Sequence, residues 1–180
     1  MQNLTLLDGQ KFQITIQRLC HQLIENHNDF SESVIIGIQP RGIYLAKRIT
    51  DELHQLLPKA SITHGNLDIT FFRDDIRTNK DLPPASSTQI DFMIEDKRVI
   101  LVDDVLWTGR TIRAALDALL AFGRPRKVEL LVLVDRRFSR QLPIEPDYIG
   151  MQVDSVDSQK VIVCWKETDQ KDQITLISGK

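Results

Sequence analysis

Long apolar runs are missing from this chain, and a membrane-spanning helix needs roughly 18 or more apolar residues in a row. The opening stretch MQNLTLLDGQKF has no basic region followed by an apolar one, so no secretory signal is expected there. Cysteine is nearly absent. Cys20 and Cys164 are too few for a disulfide framework and lack metal-ligand spacing, so both are expected reduced, in a cytoplasmic protein. A large excess of positive charge is also lacking: the net charge of −2 argues against a surface dominated by nucleic-acid contacts, although a local basic face is still allowed. No internal repeat and no G-x-G-x-x-G is present, and the Walker-like glycines of GIQPRG (Gly37 to Gly42) are not followed by Lys-Ser/Thr. Dinucleotide and nucleoside-triphosphate sites are therefore not expected. His21, His27, His54 and His64 have no triad or metal spacing, so each reads as a surface or helix-face residue, and no covalent nucleophile is expected.

What remains is an ordinary globular composition, 42% hydrophobic and 27% charged over 180 residues, long enough for one domain spanning 1–180 with a proper core. Phe12, Ile16, Leu19 and Leu23 fall at helical spacing between Lys11 and Asn26. SVIIGI, ending at Ile38, reads as a strand covered on both faces. A second helix carries Leu45, Ile49, Leu53 and Leu56 and stops at Pro58; NLDITFF, ending at Phe72, reads as a strand. From Arg73 to Asp96 the chain is charged, contains Pro83-Pro84-Ala85-Ser86-Ser87, and shows no period, as a functional lid would. RVILVDD is the next strand, followed by a helix with the stripe Ile112, Ala115, Leu116, Leu119 and Leu120, ended by Gly123 and Pro125. VELLVLVD, PDYIG and KVIVCW are further strands.

Apolar strands alternating with amphipathic helices make this an α/β chain with a mostly parallel central sheet flanked by helices. Ligands bind beyond the carboxyl ends of such strands. Four segments fall there: Gln39-Pro40-Arg41-Gly42, Arg73-Asp74-Asp75, Asp103 to Thr111, and Asp135-Arg136.

The most informative stretch is VILVDDVLWTGRT, Val99 to Thr111. Two adjacent carboxylates at the end of a buried strand repel each other and resist desolvation, so something cationic or rich in hydroxyls should face them. The Thr108-Gly109-Arg110-Thr111 turn leads into a helix, whose unpaired N–H groups and positive dipole end favour an anion. Thr108 or Thr111 would serve equally as a simple N-cap. A sugar phosphate satisfies both halves at once, with the acids on ribose hydroxyls and the phosphate on the helix start.

This pattern resembles the phosphoribosyl pyrophosphate (PRPP) signature of type I phosphoribosyltransferases. GIQPRGIYLAKRI, DITFFRDD, VILVDDVLWTGRTIRAALDAL, GRPRKVELLVLVDR and LPIEPDYIG extend the likeness over nearly the whole chain, toward the uracil phosphoribosyltransferases that double as attenuation regulators of pyrimidine operons. The resemblance implies the fold of that family, with a small hood and a flexible flap over approximately 73–96. It also implies conversion of uracil and PRPP to UMP and pyrophosphate, with Mg²⁺ held mainly through PRPP and not in an all-protein cage. Asp103, Asp104 and Arg41 are then the catalytic candidates. PRPP would be bound by Pro40, Arg41, Gly42, Asp103, Asp104, Val105, Leu106, Trp107, Thr108, Gly109, Arg110 and Thr111, the flap would carry Arg73, Asp74 and Asp75, and the base would meet Arg136 and Val161. Pro40 stands where the relatives carry Thr, and Trp107 where they carry Tyr. Arg136 stands where purine-specific relatives usually carry lysine, which ranks a purine base low.

The resemblance further implies a homo-oligomer and, as the alternative function, UMP-responsive binding of pyrimidine-operon leader RNA. Arg18, His21, Arg137 and Arg140 are the candidates for that face. Six basic residues against two acids between Arg124 and Arg140 give a local net charge of +4. Glu145 and Met151, where the regulators carry basic residues, and a loop one residue longer over Arg136 to Arg140 weigh against it.

Overall fold

The computed structural model describes residues 3–76 and 84–178. Five parallel strands form the central sheet in the order β3-β2-β4-β5-β6: β2 (Ser33–Ile38), β3 (Thr63–Leu67), β4 (Arg98–Leu106), β5 (Lys127–Arg137) and β6 (Tyr148–Asp154). Every residue of β2 is buried, as expected of a strand covered on both faces. Alternation decides which neighbour each side chain meets. Ile35, Ile100 and Leu131 pack with Phe12, Leu19, Leu45 and Ile49 of α1 (Gly9–His27) and α2 (Gly42–Leu56), while Ile36, Leu101 and Val132 pack with Ile112 and Ala115 of α3 (Arg110–Leu119) on the other face. Asp8 opens α1 by accepting from the Lys11 N–H at 3.3 Å, two residues before the expected start.

A three-stranded antiparallel sheet, β1 (Asn3–Leu7), β8 (Gln173–Ser178) and β7 (Gln159–Cys164), forms the hood. It is pinned to the core through α4 (Lys166–Asp169): Arg48 of α2 bonds Glu167 at 2.9 and 2.7 Å and Asp172 at 2.7 Å. The sequence pattern showed neither β1 nor β8, because both are short and half-exposed and carry no continuous apolar run.

Two expected elements differ. The strand expected in NLDITFF lies earlier, at Thr63–Leu67. Asp68 ends it: one carboxylate oxygen accepts from the Thr70 N–H (2.9 Å) and hydroxyl (2.6 Å), the other from the Ser86 N–H (2.7 Å), so Thr70–Phe72 turn into a single 3₁₀ turn. On α3 the buried face is Ile112, Ala114, Ala115, Ala118 and Leu119, whereas Leu116 and Leu120 point outward. Small alanines let the helix lie close to the sheet, so the expected leucine stripe is displaced by one position.

Candidate active site

Asp103 and Asp104 were expected at the end of their strand; β4 in fact runs on to Leu106. The neighbour β2 pairs with β4 only as far as Val102, whereas β5 continues opposite Asp103, Val105 and Leu106. The two acids therefore sit at the step where β4 outruns β2. Both are buried, at 6% and 9% exposure. Desolvation and the Asp104 charge push the Asp103 carboxyl well above the usual carboxylate range. Burial also raises Asp104, opposed by the Arg41 guanidinium.

The chain that fills the step is the turn into α2. A side-chain carbon on Gly42 would lie 2.5 Å from the Val102 carbonyl, so only glycine lets α2 begin this close to β4. Arg41, just before it, donates from Nε to Asp104 at 3.3 Å, and from one terminal nitrogen to the Val163 carbonyl and to Asp169 at 3.3 Å. Pro40, joined to Gln39 by a cis peptide, borders a different, smaller cavity of about 180 Å³ beside Asp68 and Arg73.

After β4 the chain turns through Trp107 and Thr108 to Gly109, whose φ of +90° begins α3. Gly109 is the N-cap residue, so neither Thr108 nor Thr111 holds that position, although the Thr108 hydroxyl accepts from the Arg110 N–H at 3.4 Å; helix starts of this kind favour an anion. A cavity of about 450 Å³ runs from here, with residues 104–109, 111 and 112 on one wall and Arg41, Arg136 and residues 159–163 on the other. Asp104 lines it and Asp103 does not. Trp107 stands over the Arg136 guanidinium, 4.8 Å from it to the ring centroid. One cavity thus brings together the start of α3, a carboxylate with an arginine, and a set of aromatic and apolar side chains.

A family model for the phosphoribosyl transferase domain matches residues 2–168. The bifunctional protein PyrR of Desulfosudis oleivorans is 48% identical over 171 residues, covering 95% of this chain and 94% of that one. PyrR of Bacillus subtilis is 42% identical over 181 residues, covering 99% of each. The chain belongs to the phosphoribosyltransferase family, in its PyrR branch. Solved hypoxanthine phosphoribosyltransferases share its fold: that of Trypanosoma cruzi at a TM-score of 0.72 and 14% identity, covering 97% and 90%, and that of Staphylococcus aureus at 0.71 and 17%, covering 98% and 92%.

In this phosphoribosyltransferase Val105, Leu106, Trp107, Thr108, Gly109 and Thr111 line the cavity at the start of α3 together with Arg136 and Val161. Arg136 is only 4% exposed, fixed by Ser155 at 2.9 Å and the Gln159 carbonyl at 2.9 Å, and burial lowers its pKa. Arg110 faces a second cavity of about 560 Å³, shared with Arg73, Asp74 and Asp75. There Arg73 and Asp75 form two bonds of 2.8 Å, and Asp74 meets Arg110 at 2.6 Å. Residues 77–83 of the expected flap lie outside the described residues.

The basic stretch from Arg124 to Arg140 does not form one patch. β5 is 11 residues long, so Arg124, Arg126 and Lys127 stand about 30 Å from Arg136, Arg137 and Arg140. Arg137 is bonded to Asp154 at 2.6 and 2.8 Å, Arg18 to the Ile149 and Gly150 carbonyls, and Arg140 to Asp135 and the Trp107 carbonyl. His21 is exposed on α1.

Sequence reasoning missed Asp169, which holds Arg41, and Gln141, which borders the second cavity and accepts from Arg110 at 2.8 Å. Each reaches the site from a distant part of the chain, and neither carries a motif that would reveal it.

Proposed function

We propose that this chain transfers the phosphoribosyl group of PRPP to uracil, yielding UMP and pyrophosphate. The observation that carries the proposal is that one cavity is lined at once by the start of α3, which suits the 5′-phosphate, by the Asp104 carboxylate, which suits the ribose hydroxyls, and by Trp107, Arg136 and Val161, which suit the base. Arg41, released from Asp104 and Asp169, takes the pyrophosphate. As the bond from the ribose anomeric carbon to pyrophosphate breaks, positive charge grows on the sugar ring, and the Asp104 carboxylate on the cavity wall stabilises it. The uracil ring nitrogen then forms the new bond to that carbon and passes its proton to the departing pyrophosphate. Positioning and exclusion of water by the flap supply the rest.

Among the described residues no cluster of three or more His, Cys, Asp or Glu could hold a metal ion. Two carboxylates and no third fit Mg²⁺ bound mainly through PRPP oxygens and water, with Asp103 and Asp104 as its protein side; there it would offset the pyrophosphate charge.

Uracil is favoured over a purine by kinship: the relatives at 48% and 42% identity are PyrR proteins, while the solved hypoxanthine enzymes share the fold at 19% or less. Pyrophosphate release from PRPP with Mg²⁺, offered uracil, hypoxanthine, guanine and orotate in parallel, tests this. Turnover with uracil alone is expected, and turnover with a purine base refutes the assignment.

The same kinship supports a second role, UMP-responsive binding of pyrimidine-operon leader RNA, with Arg18, His21 and Arg137 as the surface groups. A gel shift that does not respond to UMP at modest salt removes it. We place the protein in the cytoplasm as a single domain with the flap at about 73–96; both cysteines are free, and no described helix is long and apolar enough to cross a membrane. A homo-oligomer is supported by the apolar side chains Leu116 on α3 and Leu120 just after it, 36% and 69% exposed.

A further inference from the structure

The segment joining β5 to β6 passes behind the phosphate loop and bonds to it at successive residues. The Gln141 and Leu142 N–H groups both donate to the Thr108 carbonyl, at 3.0 and 3.1 Å. Leu142 and Ile144 lie 3.3–3.5 Å from where a side chain on Gly109 would project. Arg140 makes the longest reach. Its guanidinium donates one nitrogen to the Trp107 carbonyl and another to the Asp135 carboxylate. Asp135 is 5% exposed and sits opposite Leu106, the last residue of β4. Strand alternation sends Arg136 into the main cavity and Asp135 to the opposite side. Arg140 is absent from the wall of the main cavity and borders instead a groove of about 750 Å³ behind it.

We propose that Arg140 is a positioning residue of the nucleotide site, acting from outside it. By holding the Trp107 carbonyl against the buried Asp135, it sets the direction in which the loop presents its N–H groups to a phosphate. The inference rests on Trp107 to Thr111 being the phosphate loop. It gives Arg140, whose guanidinium is turned to the Trp107 carbonyl and Asp135, a role separate from any RNA contact. The planar fork suits this bridge, because a lysine ammonium cannot hold two acceptors in fixed directions.

The test is steady-state kinetics of Arg140→Gln, Arg140→Lys and the double variant Asp135→Asn/Arg140→Gln, with thermal melts of each and PRPP titration into the wild type. In Arg140→Gln the KM for PRPP should rise about tenfold or more while that for uracil stays within about twofold, with Arg140→Lys between the two proteins. The double variant removes the unpaired buried carboxylate, so its melting temperature should recover while the KM for PRPP stays raised. If the KM for PRPP is unchanged in folded Arg140→Gln, or returns to normal in the double variant, the proposal is overturned. Failure of the wild type to bind PRPP would overturn the phosphate-loop assignment, and this inference with it, before any variant is measured.

Discussion

Asp103 and Asp104 show how a single residue pair trades stability for chemistry. Their folded carboxyls are held above the ordinary value of 3.8, so the unfolded chain ionises first as pH rises. The pair is therefore neutral to stability in acid and destabilising above that pH. Asp104→Asn should melt at a higher temperature than the wild type at pH 7, with the difference vanishing near pH 4. Thermal melts at the two pH values check this; a lower melting temperature at pH 7 would mean that the bond to Arg41 outweighs desolvation. That the acids mattered was legible in the sequence, since two adjacent carboxylates after an apolar run need a partner. Their inequality was not, because only the structure shows that Asp104 lines the cavity and Asp103 does not.

Among the elements, β2, β4 and β5 announced themselves as continuous apolar runs, because both faces of a parallel sheet are covered. The position of the acids depended on something no local pattern records: where β2 stops pairing with β4. β3 and its successor turn were misplaced because the Asp68 side chain, and not a proline or glycine, ends the strand. At the opposite end of the sheet from the site lies a buried polar cluster that was read only as a helix-face histidine. His27 bonds Ser33 at 2.8 Å, Tyr148 at 3.1 Å and Glu129 at 3.3 Å, and Glu129 also meets Arg98 and Lys127. Burial, as the largest cause, holds His27 down at about 4, against an unfolded value near 6.5. The unfolded chain takes up the proton first as pH falls, so stability should decline between about 6.5 and 4. His27→Gln should flatten that decline in melts across this range, and an unchanged slope would place the titration elsewhere. Glu129 contributes in the same direction as pH falls from its ordinary 4.5 toward its own depressed value. Replacing it with Gln should destabilise the fold by about 3 kcal/mol, measured by denaturant unfolding, because Arg98 and Lys127 lose a buried partner.

For the whole molecule, alternation of strands and helices was enough to give the sheet, the two helix layers and the edge where ligands bind. It could not say how charge is distributed. The +4 segment from Arg124 to Arg140 looked like a basic face, yet an extended strand separates its halves and acids neutralise one of them. The outer face of α3 and the turn after it are the reverse case: Leu116 and Leu120 were assigned to the core and instead stand exposed. If that face joins two copies, Leu120→Glu should shift the sedimentation coefficient to that of a monomer, and an unchanged value would place the interface elsewhere. The claim that unites these scales is that one cavity, with Asp104 at its centre, makes UMP. Conversion of labelled uracil to UMP by the wild type and by Asp104→Asn, side by side with PRPP and Mg²⁺, tests it most directly. The account predicts UMP from the wild type and a loss on the order of a hundredfold or more in a folded Asp104→Asn. No UMP from the wild type, or near-normal turnover in the variant, would contradict it.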